Sequence, residues 1–211
     1  MDARVETRVL VIACGAIATE LAAVARLDGP VRIDVQALPA RLHDTPTQIP
    51  ERVRARVHAA RDAGAHDRIV VGYADCGTGG LLDVVCTEEG VERLPGAHCY
   101  ELFAGAERFA ALHGAEPGTF FLTDYLARNF ERLVVRTLGL DRHPELRDVY
   151  FANYRRVVFL RQSDDRCLQV AAERAADRLG LTLEIVDTGT GAFDHAVSRA
   201  VGRRLPLAVV T

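Results

Sequence analysis

The chain has 211 residues, of which 49% are hydrophobic, and this length and composition predict a folded protein with a sizeable core. Its net charge of −3 and the lack of any apolar run near the ~20 residues of a membrane span predict no nucleic-acid partner and no membrane association. All 26 basic residues are arginine, which excludes pyridoxal-phosphate attachment, other lysine Schiff bases and phosphate loops of the glycine-lysine type.

The chain begins with a short charged segment that leads into a strand. Residues 1–8 carry charges of both signs and lack the basic and apolar regions of a secretory signal, which predicts a cytoplasmic location. Strands and helices then alternate as far as residue 114, which is typical of a doubly wound parallel sheet. Apolar runs predict strands at 8–14, 31–39 and 66–74, and helical periodicity predicts helices at 15–29, 49–64, 81–90 and 104–114.

The middle of the chain, about 117–154, is rich in aromatic residues. We predict a helical excursion there, in which aromatic side chains either fill the groove between helix and sheet or form a lid. The earlier rhythm then returns, with strands predicted at 155–161 and 181–189 and helices at 164–180 and 192–202. The expected fold is α/β, a doubly wound (Rossmann-like) parallel sheet with an aromatic-rich helical insertion, in a single domain over residues 1–211.

The cysteines divide into two groups by position. Their number is five, and an odd count without a secretory signal disfavours a disulfide framework. Cys14, Cys76 and Cys99 each follow an apolar run, so the carboxyl ends of parallel strands are expected to bring them to one edge of the sheet. Cys86 and Cys167 lie within predicted helices, where we interpret both as small core residues.

Three thiols gathered at one edge indicate a site for a soft metal. Glycine follows Cys14 and Cys76 directly, so backbone N–H groups can approach the sulfur atoms, as they do around iron–sulfur clusters. Because no fourth cysteine joins the set, one coordination position stays open, which is typical of a catalytic site. The chain has no C-x-x-C motif, so the prediction depends on how the fold places the three residues.

Polar residues near these cysteines are candidates for proton transfer and substrate binding. His43, Asp75 and His98 are the candidate catalytic residues, because imidazole titrates near neutral pH and Asp75 precedes Cys76. Such histidines ordinarily lie in a solvated loop without a chemical role, and an aspartate in the position of Asp75 ordinarily caps the next helix. The candidate substrate-binding residues are Thr78 and Gly79 in the loop after Cys76, and Arg155 and Arg156 for a carboxylate or phosphate.

The glycine-rich segment CGTGG at 76–80 has a superficial likeness to a nucleotide loop. It lies between a predicted strand and a predicted helix, but the spacing of its glycines differs from G-x-G-x-x-G and a cysteine begins the turn. We therefore expect no nicotinamide cofactor. The loop is better suited to shaping an anion or substrate pocket beside Cys76.

Longer blocks of the sequence match the motifs of one family, in the same order. These blocks are ACGAIATEL, LPARLHDTPTQIP, GYADCGTGG, LPGAHCYELFAG, EPGTFFLTDYLARNF and RHPELRDVYFANYRRVVFLRQ. Over about residues 9–191 the chain resembles the prokaryotic family catalogued as domain of unknown function 1638. The cysteines of the family's CG-A-E-L, CG-x-G and H-(D)-C blocks correspond to Cys14, Cys76 and Cys99. Many relatives place an aspartate between the histidine and cysteine of the third block, whereas His98 directly precedes Cys99 here.

The resemblance also implies an association with anaerobic one-carbon and corrinoid methyl-transfer metabolism. Two classes of function then remain open. The first is a metal-dependent lyase, hydrolase or transferase that uses an iron–sulfur cluster with one open iron, or a zinc ion, as a Lewis acid toward a small-molecule substrate. Zinc held by thiolates would suit alkyl or methyl transfer, whereas dispersed cysteine-glycine turns favour the 4Fe–4S cluster. The second class is a non-catalytic metal or corrinoid accessory protein that serves a methyltransferase.

Overall fold

The computed structural model describes residues 7–203 of the chain. The prediction made for residues 1–8 therefore falls largely outside the described residues. The chain divides into two compact units, one formed by Met1–Leu102 with Phe193–Thr211 and the other by Phe103–Ala192. Each unit is described separately, and the single-domain assignment stays a prediction.

The first unit is built on a parallel sheet of four strands. The strands are β1 (Thr7–Cys14), β2 (Val31–Leu38), β3 (Arg68–Gly72) and β4 (Glu92–Arg93). Their order in the sheet is β2-β1-β3-β4, so β1 lies between β2 and β3. The pairing of β1 with both neighbours in parallel confirms the crossover topology predicted from the alternating pattern.

Three helices connect these strands, and a fourth follows the last strand. Two of them begin at the predicted residues, Ile49 and Leu81, the first is shorter than predicted, and the fourth was not predicted. The longest, α2, is capped by Gly64, which adopts a left-handed φ of 59° and donates its N–H to the carbonyl oxygens of Ala60 and Arg61. A 3-10 turn over Gly15–Ile17 precedes α1, and two more occupy Ala40–Asp44 and Pro46–Gln48. The helices are α1 (Ala18–Ala25), α2 (Ile49–Ala63), α3 (Leu81–Glu88) and α4 (Cys99–Ala104).

Strand β1 is the buried centre of this unit. Every residue from Val9 to Cys14 is buried, because helices cover both faces of a parallel sheet. Gly72 at the end of β3 permits the close approach of β1, since a Cβ there would lie 2.7 Å from the Cβ of Ala13. The absence of a side chain at Gly72 therefore sets how closely the carboxyl ends of β1 and β3 pack.

The second unit contains a separate parallel sheet of three strands in the order β5-β6-β7. The strands are β5 (Thr119–Thr123), β6 (Arg156–Arg161) and β7 (Thr182–Asp187). The helices are α5 (Ala106–Ala115), α6 (Asp124–Arg128), α7 (Leu146–Tyr150) and α8 (Arg166–Leu179), with a π-helical turn over Glu131–Val135. Helix α9 (Gly191–Ala200) begins at the end of the second unit's segment and continues in the first.

The α/β class is confirmed, but the prediction of a purely helical insertion over about 117–154 was wrong in part. β5 lies inside that range, and its sequence TFFLT is a buried run of aromatic, aliphatic and β-branched residues. Such a run favours a strand, and the aromatic enrichment of the surrounding helices obscured it. The parallel strands are divided between two sheets, which is consistent with the predicted doubly wound α/β fold.

The aromatic residues of this region pack into the core of the second unit. Phe120 has edge-to-face contacts with Phe130, Phe151 and Tyr154, at ring-centroid distances of 6.4, 5.7 and 6.1 Å. Phe130 and Phe151 belong to the buried cluster that also contains Phe159 of β6. This confirms the interpretation that these aromatics fill the core, and each such pair adds about 0.5–1.5 kcal/mol beyond area burial.

A charged network joins α2 to the end of α3. Glu89 accepts hydrogen bonds from Arg54, His58 and Arg61 at 3.0, 2.9 and 2.7 Å, and Arg54 also pairs with Glu88 at 2.6 Å. The Glu89 side chain is only 8% exposed, yet charged side chains rather than apolar core cover it. The His58 hydrogen bond, with that of Arg54, lowers the pKa of Glu89 below its ordinary range.

We expect the substitution Glu89→Gln to reduce the free energy of unfolding, because it leaves the guanidinium groups of Arg54 and Arg61 around an uncharged partner. A lowered pKa in the folded state contributes stability above the ordinary glutamate pKa and loses it as the pH falls through the lowered value. The difference between wild type and variant should therefore shrink on acidification, measured by urea unfolding at several pH values. Glu92→Gln is the matched control, because Glu92 is 73% exposed and pairs with Arg68 alone. An equal loss in both variants would contradict the prediction.

Candidate functional site

Cys14 is the last residue of β1 and begins the turn into α1. It is 3% exposed, and its sulfur accepts a hydrogen bond from the Ala16 N–H at 3.3 Å. It is paired in register with Leu38, the last residue of β2, and Gly15 lies so close to this strand that a Cβ would come within 2.9 Å of the Leu38 carbonyl. The position of the thiol is therefore fixed by the central pairing of the sheet.

Cys76 lies four residues beyond β3 in a loop of unusual backbone conformation. It is the only residue other than glycine with a positive φ among residues 7–203, at 53°. A left-handed conformation costs a residue with a Cβ about 1–2 kcal/mol, and such strain is concentrated at functional sites. The N–H groups of Asp75 and Cys76 donate to the carbonyls of Gly96 and Ala97 at 3.1 and 2.8 Å. These two bonds tie Cys76 to the segment that leads into Cys99.

Cys99 is the first residue of α4. It keeps some exposed surface, but dense surrounding protein desolvates the thiol and raises its pKa well above the ordinary value. A negative charge on Cys76 or Cys14 would raise it further, so the three sulfur atoms lie within electrostatic reach of one another. Cys14 and Cys76 are 62 positions apart in the chain, and Cys76 and Cys99 are 23 positions apart.

Burial controls the ionisation of the other two thiols as well. It raises the pKa of Cys14 to about 11 and that of Cys76 to about 12, and the charge of Cys14 is the next contribution at Cys76. Backbone hydrogen bonds oppose this effect at all three residues but do not overcome it. At neutral pH the free thiols are therefore protonated. Within residues 7–203, no group of three or more His, Cys, Asp or Glu side chains is placed to hold a metal ion.

His43 contacts Cys14 from the loop that follows β2. Its Nδ1 lies 2.9 Å from the carbonyl oxygen of Ala40 and 3.8 Å from the Cys14 sulfur. Because a carbonyl only accepts, we assign the proton to Nδ1, which leaves Nε2 as an acceptor. The structure therefore places His43 beside Cys14, and its catalytic role stays a prediction.

Tyr73 is a residue of this cluster that the sequence analysis missed. It is 1% exposed, its ring stacks on His43 at a centroid distance of 6.2 Å, and its hydroxyl lies beside the Cys14 thiol. The hydroxyl makes no hydrogen bond of standard geometry to a described residue. Burial raises its pKa, and the charges of Cys14 and Cys76 raise it further, so the hydroxyl stays protonated. The signal was present in the sequence as a polar aromatic residue directly after a buried strand.

Asp75 organises the loop after Cys76. Its carboxylate accepts hydrogen bonds from the Thr78 hydroxyl at 2.7 Å and from the N–H groups of Gly79 and Gly80 at 3.2 and 2.9 Å. The Thr78 bond is the main reason that the pKa of Asp75 is lowered. Thr78 is 3% exposed and its hydroxyl also accepts from Leu82. Asp75, Thr78 and Gly79 are therefore engaged with one another, and their catalytic and substrate-binding roles stay predictions.

The other candidate residues have contacts of their own. His98 is exposed and lies beside Tyr100, with ring centroids 6.2 Å apart. Arg155 and Arg156 belong to the second unit, where Arg155 donates to the carbonyls of Ala152 and Tyr154. Arg156 donates to Thr119, Leu112 and Glu184, the last at 2.5 Å. Roles in substrate binding for these arginines stay predictions.

The two remaining cysteines differ in their burial. Cys86 on α3 is 6% exposed, which confirms its interpretation as a core residue. The same interpretation was wrong for Cys167, which is exposed. It occupies the first turn of α8, where its N–H bonds to the capping carboxylate of Asp165 at 2.8 Å, and the apolar face of the helix begins at the next residue, Leu168.

The first unit is an α/β fold in which Cys14 ends β1, Cys76 follows β3, and the thiols of Cys14, Cys76 and Cys99 lie within electrostatic reach of one another. The chain belongs to the family described as protein of unknown function (DUF1638), whose family model matches residues 37–197. Cys76 and Cys99 lie within the matched range, whereas Cys14 precedes it. Comparisons with curated proteins and with solved structures found no match. None of the described helices is long and apolar enough to cross a lipid bilayer.

We expect Asp75→Ala to lower the free energy of unfolding by about 1–3 kcal/mol, because it removes the acceptor for three hydrogen bonds in the loop. Asp75→Asn should cost less, since its amide oxygen can still accept from Thr78 and Gly80 and only the acceptor for Gly79 is lost. Chemical denaturation of both variants measures the difference. An Asp75→Ala variant as stable as wild type would show that the carboxylate does not hold this loop.

Proposed function

We propose that Cys14, Cys76 and Cys99 ligate a 4Fe–4S cluster whose fourth iron has no protein ligand, and that the protein uses it to convert a small molecule. The proposal is carried by one observation, the meeting of three desolvated thiols whose charges influence one another. Free thiols of raised pKa are poor nucleophiles at neutral pH, whereas a bound metal displaces the protons and needs the thiolates. A reducing compartment such as the cytoplasm would keep them free of disulfides.

The hydrogen-bond donors around the sulfur atoms support this proposal. The N–H of Ala16 donates to Cys14, that of Cys99 donates to Cys76, and that of Tyr100 donates to Cys99. A neutral thiol is a weak acceptor and gains little from such donors, whereas a thiolate is stabilised by them. Hydrogen bonds to sulfur are also among the features that set the potential of iron–sulfur clusters. The donor set therefore fits thiolate ligation.

The spacing of the thiols favours a cluster over a single zinc ion. A zinc site gathers all its ligands around one atom at about 2.3 Å from each sulfur. The three thiols come from three separate segments of the chain and influence one another electrostatically. A cluster of several irons gives each cysteine a different iron and so accepts ligands that are farther apart. We therefore propose the cluster first and thiolate-bound zinc, suited to alkyl or methyl transfer, as the alternative.

An open iron would supply a Lewis-acid position for an oxygen or nitrogen atom of the substrate. The chain itself supplies the surroundings of that position. Burial of Cys14 and Cys76 at 3% and 7% exposure keeps bulk water from the thiolates. His43 is held by the Ala40 carbonyl with Nε2 as an acceptor, which is the arrangement of a residue that takes a proton from a bound molecule.

Serine at each proposed ligand tests the cofactor. We expect Cys14→Ser, Cys76→Ser and Cys99→Ser, purified without oxygen, to lose at least about tenfold in iron retention, because the loss of an outer hydrogen-bonding partner alone costs about that much. Wild type should carry iron, sulfide and broad absorbance near ~400 nm. Cys86→Ala and Cys167→Ser are matched controls for a buried and an exposed cysteine, and both should retain the cluster.

The same preparations separate the alternatives. One equivalent of zinc without iron would replace the cluster with the zinc-thiolate enzyme. Stoichiometric transfer of the bound group to a methyltransferase or corrinoid protein, without turnover of any small molecule, would indicate the accessory role. Wild-type protein without metal, together with serine variants of unchanged behaviour, would overturn the metal site itself.

Tyr73→Phe tests the environment of the sulfur atoms. The protonated hydroxyl, which has no standard partner among residues 7–203, can donate to a thiolate at Cys14. Its loss should make the reduction potential of the cluster more negative in an anaerobic redox titration, since a hydrogen bond to sulfur favours the reduced state. The stability of the metal-free protein should change by less than about 1 kcal/mol, because there the hydroxyl makes no hydrogen bond of standard geometry to a described residue. Tyr150→Phe, at a residue 47% exposed, is the control, and equal potentials in wild type and both variants would contradict the prediction.

A further inference from the structure

A second concave surface of the first unit lies between α2 and the segment that follows β2. Its volume is about 710 Å³, which lies within the range of small-molecule sites. The segment from Leu38 to Thr45 forms one side, and one face of α2 forms the other. None of the candidate residues named above for catalysis, metal binding or substrate binding lines this groove. We refer to it as the α2 groove.

Three arginines line the α2 groove without a partner. Arg41, Arg52 and Arg56 make no side-chain hydrogen bond or ion pair with any residue in the described range 7–203. Other arginines of the same helix behave differently, because Arg54 and Arg61 are bound to carboxylates of Glu88 and Glu89. The unpaired arginines Arg52 and Arg56 therefore lie on a different face of α2 from the paired Arg54 and Arg61.

The spacing of two of these residues carries an electrostatic cost. Arg52 and Arg56 are four residues apart on α2, so their guanidinium groups project from the same face one turn apart. Like charges at this spacing destabilise a helix by about 0.2–0.5 kcal/mol. An anion bound between them would remove the repulsion and give each planar guanidinium its preferred partner, a carboxylate or phosphate.

The other residues that line the α2 groove indicate which further chemical groups its ligand has. Leu38, Leu42 and Ala55 supply apolar surface beside the arginines, so the ligand has a short apolar part. Asp44 is the one carboxylate in the lining, and with three arginines it leaves a formal charge of +2. Thr45 and Gln48 add polar groups that can bind hydroxyls.

We propose that the α2 groove binds a small organic molecule with at least two negative charges, held by Arg41, Arg52 and Arg56 through carboxylate or phosphate groups. A compact anion fits better than a polyanion, because the groove is concave and the chain as a whole has a net charge of −3. This binding does not depend on the cysteine cofactor. It is a property of the loop and helix of the first unit alone.

Isothermal titration of the full chain with citrate, pyrophosphate and inorganic phosphate tests the proposal. We expect at least one of these anions to bind, and Arg52→Gln and Arg56→Gln each to weaken it at least about tenfold, since a charge-assisted hydrogen bond contributes about 1.5–3 kcal/mol. Tighter binding of citrate would assign the site to carboxylates, and tighter binding of pyrophosphate or phosphate would assign it to phosphates. Glutamine preserves helix propensity, so the fold of α2 should be unaffected.

Arg174→Gln is the matched control, because Arg174 is an exposed helical arginine of α8 without a side-chain partner among the described residues. It should bind the anion within about twofold of wild type, far below the factor expected for one lost charged contact. No binding by any probe, or equal weakening in the control and in the groove variants, would overturn the proposal. Metal content measured on the same variants should equal that of wild type, so a failure here is distinguishable from a failure of the cysteine site.

Discussion

The parallel pairing of β1 with β2 and β3 is the constraint on which the site depends. Parallel strands must all end at the same edge, so this pairing alone brings the turns after Cys14, Leu38 and Gly72 together. The buried apolar sequence of β1 makes its central place favourable, at roughly 25 cal/mol for each Å² of apolar surface removed from water. Stability of the sheet and geometry of the site thus come from the same contacts.

The site itself is held in a state that costs free energy. Cys76 adopts a left-handed backbone, three thiols are desolvated and the Tyr73 hydroxyl lacks a standard partner. The surrounding structure offsets these costs through the backbone bonds between the two cysteine loops and the Asp75 carboxylate that organises the glycines. A fold gains nothing by maintaining such an arrangement for packing alone, and this is the physical reason to regard it as functional.

Much of this organisation could be predicted from the sequence, and the failures have identifiable causes. Apolar runs and glycine or proline boundaries gave most strands and helices, including the end of α2 at Gly64. The strand Thr119–Thr123 was missed because aromatic content was interpreted as helix packing, and Cys167 was misassigned because periodicity does not show where the first turn of a helix faces. Tyr73 was overlooked although it directly follows an apolar run, and the missing partners of the three groove arginines could not be predicted, since partners depend on contacts between distant segments.

The segment between β2 and α2 has two sides with different chemistry. On one side, Leu38 is paired with Cys14, and His43 lies against the Cys14 sulfur. On the other side, Arg41 lines the α2 groove. A backbone shift of a few tenths of an ångström in these residues would move both surfaces together. Thermodynamic linkage is reciprocal, so whatever free energy an anion in the groove exerts on the sulfur environment, a change at the sulfur exerts equally on anion affinity. If both proposed ligands bind, the short segment between β2 and α2 would connect their two sites.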